Sequence, residues 1–540
     1  MFNEMNGQRF PSNMSHSFSA VPQAEIQRSS FKRVFNYKTT FNSGYLVPFY
    51  VDEALPGDTF NLKVSTLARL ATPLRPVMDN MYLDTFFFAV PYRLVWDNWE
   101  KMQGAQTDPD DSTDFLVPQM VAPAETGWVT GSLEDYFGLP LGIPGLSVSS
   151  LWHRAYNLVW NEWFRDQNIQ DSLVVDKDDG PDTPADYVLR RRGKRHDYFT
   201  SALPWPQKGE SVTFGIGGSA PVNLRADFYP DHEIKFKSAG NLTEDMPAYL
   251  YSWQGGSYPT HDVQIQSTSS GNRLHALDPN GSLIADLSNA TAVSVNTFRE
   301  AVQLQRILER DARGGTRYVE MIKAHFGVIS PDFRLQRPEY LGGGSNPINV
   351  SAIPQTSAST STNKLGDLAA FGTSQGNGGF SKSFVEHCLI IGLLNVRADL
   401  TYQQGIPRMF SRRTRYDFFM PATANLGEQA ILNKEIFAQG NSDDEKAFGY
   451  QERWGEYRYG LSKITGKFRS TDAQTLDIWH LSQEFATCPT LSSEFIEENP
   501  PVQRIVAVQN EPEFLFDSFF TVDTARPMPL FSVPGLVDHF

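Results

Sequence analysis

Hydrophobic and polar positions alternate along the first seventy residues, with turn signals between the alternating pieces. Val34–Phe41 alternates, Gly44–Val51 carries the apolar text GYLVPFYV, and Leu55-Pro56-Gly57-Asp58 reads as a turn before a second alternating piece, Thr59–Leu70. Such spacing predicts short strands of a sandwich or barrel. Pro73 and Pro76 bracket a further turn. The pattern then changes: Met81 to Val90 is a continuous apolar and aromatic run broken only by Asp84 and Thr85. A run of this kind predicts a strand covered on both faces. Pro91 ends it, because proline cannot donate to a ladder. Arg93–Gln103 has helix-forming composition and stops at Gly104.

Farther on the period becomes helical in places. Trp152, Ala155/Tyr156, Val159/Trp160 and Trp163 predict a helix over Leu151–Asp166, with Ser149 or Ser150 as its cap. Thr297 and Glu300 form a capping box before a helix carrying Phe298, Ala301, Leu304 and Leu308 on one face. Gly314-Gly315 stops it, and a second helix, opened by Thr316, runs to Gly327. Residues 341–380 read as loop, since 24 of the 40 are Gly, Pro, Ser, Thr or Asn. Strand character returns over 383–402 and again over Phe514–Val522, and a proline-studded tail closes the chain. Residues 1–30 are polar and poorly patterned and read as an arm. Residues 225–295 are rich in Ser, Thr, Asn and Gly and read as an exposed β-rich insertion. The core is then 31–224 with 296–540.

Charge sharpens this division. The 540 residues carry a formal net charge of −15, which argues against a dedicated nucleic-acid binder. Within residues 1–50, however, Arg9, Arg28, Lys32, Arg33 and Lys38 face only Glu4 and Glu25. The insertion has the opposite balance, four basic residues against eight acidic ones. The block Arg190–Arg195 (RRRGKR) follows an acidic stretch, and such blocks usually pair or stay solvated. Two cysteines a hundred residues apart, Cys388 and Cys488, make neither a disulfide framework nor a metal cluster. The first ten residues lack the apolar core of a secretory leader, and nothing approaches eighteen consecutive apolar residues. No zinc-protease, redox, serine-hydrolase, phosphate-loop or calcium-loop motif is present. These readings predict no membrane span and flag no catalytic centre, no metal site and no cofactor.

Several longer strings are family marks: MDNMYLDTFFFAVPYRLVWDNW (78–99), ILERDARGGTRY (307–318), HFGVISPDFRLQRPEYLGG (325–343), GYQERWGEYRYG (449–460) and ARPMPLFSVPGLVDHF (525–540). They resemble the major capsid proteins of the gokushoviruses, small icosahedral single-stranded DNA bacteriophages of the Microviridae. The resemblance covers nearly the whole chain except 225–295 and much of 350–380. It implies a mainly β fold, an eight-stranded antiparallel jelly-roll sandwich with long loop insertions and a few short helices. It further implies a T=1 icosahedral shell built through pentamers in the host bacterial cytoplasm, enclosing a circular single-stranded DNA genome. The insertion becomes a protrusion near the three-fold axis that meets a host cell-surface receptor. The implied helpers are an internal scaffolding protein, a DNA-pilot protein and a small basic DNA-binding protein, the last supplying positive charge that an acidic coat lacks.

On this reading Trp96, Trp99, Trp454 and Tyr457 are anchors buried between or beneath loops, and Pro529, Phe531, Pro534 and Phe540 lie extended along a neighbour. Arg9, Arg28, Lys32, Arg33, Arg412 and Arg413 are the expected phosphate contacts. The competing reading is a carbohydrate-binding or carbohydrate-cleaving β-sandwich, since aromatics and carboxylates are plentiful.

Overall fold

The computed structural model describes residues 27–210, 295–315, 317–327, 336–357 and 364–531, with residues 212 and 359 and the backbone of seven short strands between 222 and 285. The chain divides into two compact units, 1–206 with 314–540, and 207–313.

Eight strands build the first unit: β1 (Ser29–Phe41), β2 (Val47–Ala54), β3 (Thr59–Leu70), β4 (Met81–Pro91), β5 (Glu339–Pro354), β6 (Leu368–Ser383), β7 (Cys388–Ala398) and β8 (Phe514–Arg526). All pairings are antiparallel, in the order β1-β8-β3-β6-β5-β4-β7-β2. The β5–β6 pairing, Asn349–Pro354 against Leu368–Thr373, joins two four-stranded layers, β1-β8-β3-β6 and β2-β7-β4-β5. This alternation of strands between layers is the jelly-roll order. The layers close on a shared core in which Phe49 of β2 meets Phe520 of β8 at 5.6 Å, and Phe87 of β4 meets Phe380 of β6 at 5.4 Å.

β4 is buried on both faces, as its unbroken apolar run predicts. Met81, Leu83, Phe87 and Ala89 enter the core between the layers, while Phe88 and Val90 enter a second core on the outer side. β7 behaves in the same way, with Ile390, Leu394 and Val396 inward and Leu389, Ile391 and Leu393 outward. The second core is closed by the insertion between β4 and β5. Its helix α1 (Leu151–Val159) lays Leu151, Ala155, Tyr156 and Val159 there, beside Trp96 and Trp128. A third core, which includes Tyr198, Phe199, Ile431, Phe448 and Phe495, joins this insertion to the one between β7 and β8. Among the described residues the outer side of the other layer is uncovered: from Phe60 to Leu70 β3 alternates between buried and exposed.

Three expectations change. Residues 341–380 are not a loop; they contain most of β5 and β6, each sixteen residues long. Their glycines mark close backbone approach rather than turns. A Cβ at Gly343 would stand 1.9 Å from the Thr85 carbonyl oxygen, and one at Gly379, whose φ is +147°, would stand 2.1 Å from that of Leu62. Glycine is required where neighbouring backbone leaves no room for a side chain. Arg93–Gln103 holds only two short turns, Tyr92–Leu94 and Trp99–Met102, because Trp96 and Val95 sink into the second core and break the helical path. Thr297 lies inside the helix α2, described from Val295 to Arg313, rather than ahead of it as a cap. The helix α3 (Tyr318–Phe326) ends as expected, on Gly327 in the left-handed region at φ 70°. The insertion expected at 225–295 lies within the second unit, and outside its short strands it falls beyond the described residues.

Replacing Gly343 with alanine is expected to lower stability by more than about 3 kcal/mol, as for other severe core clashes. At Gly104, where φ is +98° and nothing lies within 4 Å of an added Cβ, the same change is expected to cost about 1 kcal/mol through backbone strain alone. Denaturant midpoints of the two variants check this, and equal losses would refute the close-approach account.

Candidate assembly and genome-contact surfaces

The insertion between β7 and β8 carries an aromatic, arginine-bearing patch. Short turns at Arg408–Ser411 and Arg415–Asp417 expose Phe410 at 74% and Tyr416 at 72%. Trp454 takes a left-handed backbone (φ 67°), is buried, and donates through Nε1 to the Thr423 carbonyl at 3.0 Å. Phe419 packs edge-on against it at 5.7 Å. Arg412 lies over the rings of Tyr457 at 4.4 Å and Phe418 at 5.4 Å and pairs with Glu456 at 3.3 Å. Arg408 pairs with the buried Glu435 at 2.7 Å. A hollow of about 330 Å³ opens here, walled by Tyr198, Tyr402, Arg412, Tyr457 and Tyr459. Aromatic and arginine side chains in this proportion mark protein contact surfaces.

The expected contact residues are scattered. Arg9, Pro534 and Phe540 lie outside the described residues. Arg28 binds the Gly57 carbonyl and reaches Thr59 Oγ1 at 3.4 Å. Lys32 is exposed. Arg33, on the opposite side of β1, pairs with Asp52 at 2.5 Å. Arg413 is exposed beside the paired Arg412. Trp96 is fully buried and donates to Asp179 at 2.7 Å; Trp99 is half-buried and stacks on Tyr92 at 4.2 Å. Tyr457 is exposed, as are Pro529 and Phe531. The structure thus brings Arg412, Arg413, Trp454 and Tyr457 together and leaves the others apart. Phe410, Tyr416 and Phe418 were not among the expected contacts, although the four apolar residues that follow the arginines in RRTRYDFFM signal an unusual surface.

The block RRRGKR serves the interior. Arg192 reaches Asp84 at 2.5 Å, Arg397 reaches the same carboxylate at 2.8 Å, and Ser345 donates to it at 2.5 Å. This explains the polar break in β4: the buried Asp84 is held by two arginines and a hydroxyl. Thr85 Oγ1 accepts from the Gly344 amide at 3.0 Å. Arg191 lies over Tyr45 at 4.1 Å. Lys194 is buried and donates to the Phe495 carbonyl at 2.5 Å and Gln483 at 2.8 Å. Among the described residues no group of three His, Cys, Asp or Glu side chains is placed to hold a metal ion, and no helix is long and apolar enough to cross a membrane.

Near Lys194 lies Glu498, 2% exposed, with one carboxylate oxygen lacking a hydrogen-bond partner. Burial pushes its pKa from an ordinary 4.5 up to about 7 and pulls that of Lys194 from 10.5 down to about 8. For the raised carboxyl, its contribution to stability is whole below pH 4.5 and is lost as pH rises through 7. The lysine, depressed to about 8, adds little change across that window. The thermal midpoint is therefore expected to fall between pH 5 and pH 7.5 in the native chain and to fall less in Glu498→Gln; parallel curves would refute the assignment.

The chain matches the family model described as capsid protein (F protein) over residues 19–536. It is 49% identical to capsid protein VP1 of Bdellovibrio phage phiMH2K, covering 97% of this chain and 98% of that protein. Against capsid protein VP1 of Chlamydia phage 1 it is 42% identical, covering 98% and 99%, and against that of Spiroplasma virus 4 it is 38% identical, covering 96% and 97%. These are gokushovirus proteins, as the sequence marks implied. A jelly roll of eight strands, matched over nearly its whole length by viral coat proteins, leaves one conclusion: the chain belongs to the capsid protein (F protein) family of the Microviridae, as a structural major capsid protein.

Proposed function

We propose that copies of this chain close, through pentamers, into a T=1 icosahedral shell around a circular single-stranded DNA genome. The observation that carries this reading is the near-complete match to capsid proteins, together with a jelly roll whose insertion between β7 and β8 exposes the aromatic residues Phe410 and Tyr416. Jelly rolls pair most of their strand edges, which leaves loops to direct association. The patch of Phe410, Tyr416, Phe418 and Tyr457 is proposed as one copy-to-copy contact, with Trp454 beneath it as support, and Trp99 and the tail with Pro529, Phe531, Pro534 and Phe540 as others. Trp96 acts from inside the fold. Lys32, Arg28, Arg413 and the arm with Arg9 are proposed to meet phosphate, with Arg412 holding the patch and Arg33 holding β1. The internal scaffolding protein, DNA-pilot protein and small basic DNA-binding protein complete the particle, which assembles in the bacterial cytoplasm, and residues 225–295 meet the host receptor.

Co-expression of the full chain with the scaffolding protein, followed by sedimentation and negative-stain microscopy, tests the proposal; a chain that stays monomeric overturns it. In the same assay Phe410→Ser with Tyr416→Ser is expected to lower shell yield at least tenfold, about 1.4 kcal/mol per contact, with an unchanged thermal midpoint. Deleting residues 530–540 is expected to abolish shells while the chain stays soluble; undiminished yield would refute the tail's role.

A further inference from the structure

The strand β8 runs out into exposed apolar residues. Its ladder ends at Arg526, opposite Ser29. Pro527 and Pro529 have no amide donor and cannot prolong it. The run Pro527-Met528-Pro529-Leu530-Phe531 carries no charge, and Met528, Leu530 and Phe531 are exposed, the last at 79%. An uninterrupted apolar run at the surface marks a segment that another surface covers.

The hollow beside Arg412 has the matching chemistry. Tyr198, Tyr402, Tyr457 and Tyr459 stand in its wall, and Ile406 and Met409 add apolar surface. Its charges are already paired within the chain, Arg408 with Glu435 and Arg412 with Glu456. An uncharged segment therefore enters without displacing an ion. Tyr198 donates to Glu435 at 3.1 Å and Tyr402 to Asp197 at 2.6 Å. Tyr457 and Tyr459 are half-exposed, and their hydroxyls have no hydrogen-bond partner among the described residues. Proline-rich segments dock in aromatic grooves of this kind, because their extended backbone leaves carbonyls unpaired and their rings lie flat on aromatic faces. The volume of about 330 Å³ lies within the range of pockets that enclose a ligand.

The segment falls short of the hollow of its own chain. Arg526 donates to the Glu53 carbonyl at 2.7 Å, and the neighbouring Ala54 is paired with Cys388, where β7 begins. The hollow starts at Tyr402, four residues past Ala398, where β7 ends. The length of β7, about 33 Å at 3.3 Å per residue, thus lies between the two. Five extended residues reach at most about 18 Å.

We infer that this hollow holds Pro527–Phe531 of a second copy of the chain, with the two prolines against Tyr457 and Tyr459 and the tyrosine hydroxyls donating to its carbonyls. The inference rests on the assembly reading and deepens it: the tail and the aromatic patch become two halves of one contact. Because they lie at opposite ends of β7, the contact is head-to-tail, the kind that closes into a ring about a rotation axis.

The probe is a fluorescein-labelled peptide of residues 525–531, ARPMPLF, titrated into the purified full chain. Saturable binding is expected. Tyr459→Ala is expected to weaken it about tenfold, the loss of one aromatic anchor, with an unchanged thermal midpoint. A peptide carrying Pro527→Ala with Pro529→Ala, which makes no demand on folding, is expected to lose a similar factor against the native chain. Absent binding, or native affinity after either change, overturns the inference. In particles formed with the scaffolding protein, p-benzoylphenylalanine in place of Tyr459 is expected to photo-crosslink to residues 525–531 of another copy, read by mass spectrometry; a crosslink to a helper protein instead overturns it. A native chain that binds the peptide but forms no shell leaves the inference standing and removes the assembly proposal.

Discussion

The burial of β4 and β7 on both faces governs the structure. A sheet whose central strands have no polar side must be covered twice, once by the opposing layer and once by something else. Here the second cover is the insertion between β4 and β5, through α1, Trp96 and Trp128. That insertion is therefore part of the sandwich rather than an appendage. The second core buries fifteen large apolar side chains, five of them from β4 and β7, and each contributes about 1.5–3 kcal/mol, so the layer and the insertion stabilise each other.

The interior charges follow from the same constraint. Asp84 interrupts an apolar strand and needs partners where no water reaches; Arg192 comes from the first insertion and Arg397 from β7. A buried ion pair adds little net stability, but removing one partner is costly. Such a group acts as a key for register: the strand and the insertion seat together only when the carboxylate meets both guanidinium groups.

The sequence exposed the parts of the fold whose periodicity is simple. β1, β3, β4 and β8 announce themselves by alternation or by an unbroken apolar run, and α1 by its aromatic stripe. β5 and β6 were hidden because the same residues that signal turns, glycine and small polar side chains, also suit strands packed too closely for a Cβ. Local composition carries no record of how near the next strand will lie. The surfaces were legible only in part. RRRGKR has the text of a phosphate site, yet its partners come from strands distant in sequence. Trp454 and Tyr457 could be singled out as aromatic, but their meeting with Arg412 and Phe418 depends on turns that no pattern predicts.

The bare backbone at Gly343 has a meaning beyond one molecule. A coat made from a single gene product repeats each defect at every equivalent position, so a methyl group added there is not one fault among many sound neighbours but a fault in all of them simultaneously. The close approach of two strands thus sets a limit on mutational drift that is far stricter for a self-tiling particle than for a freely diffusing monomer.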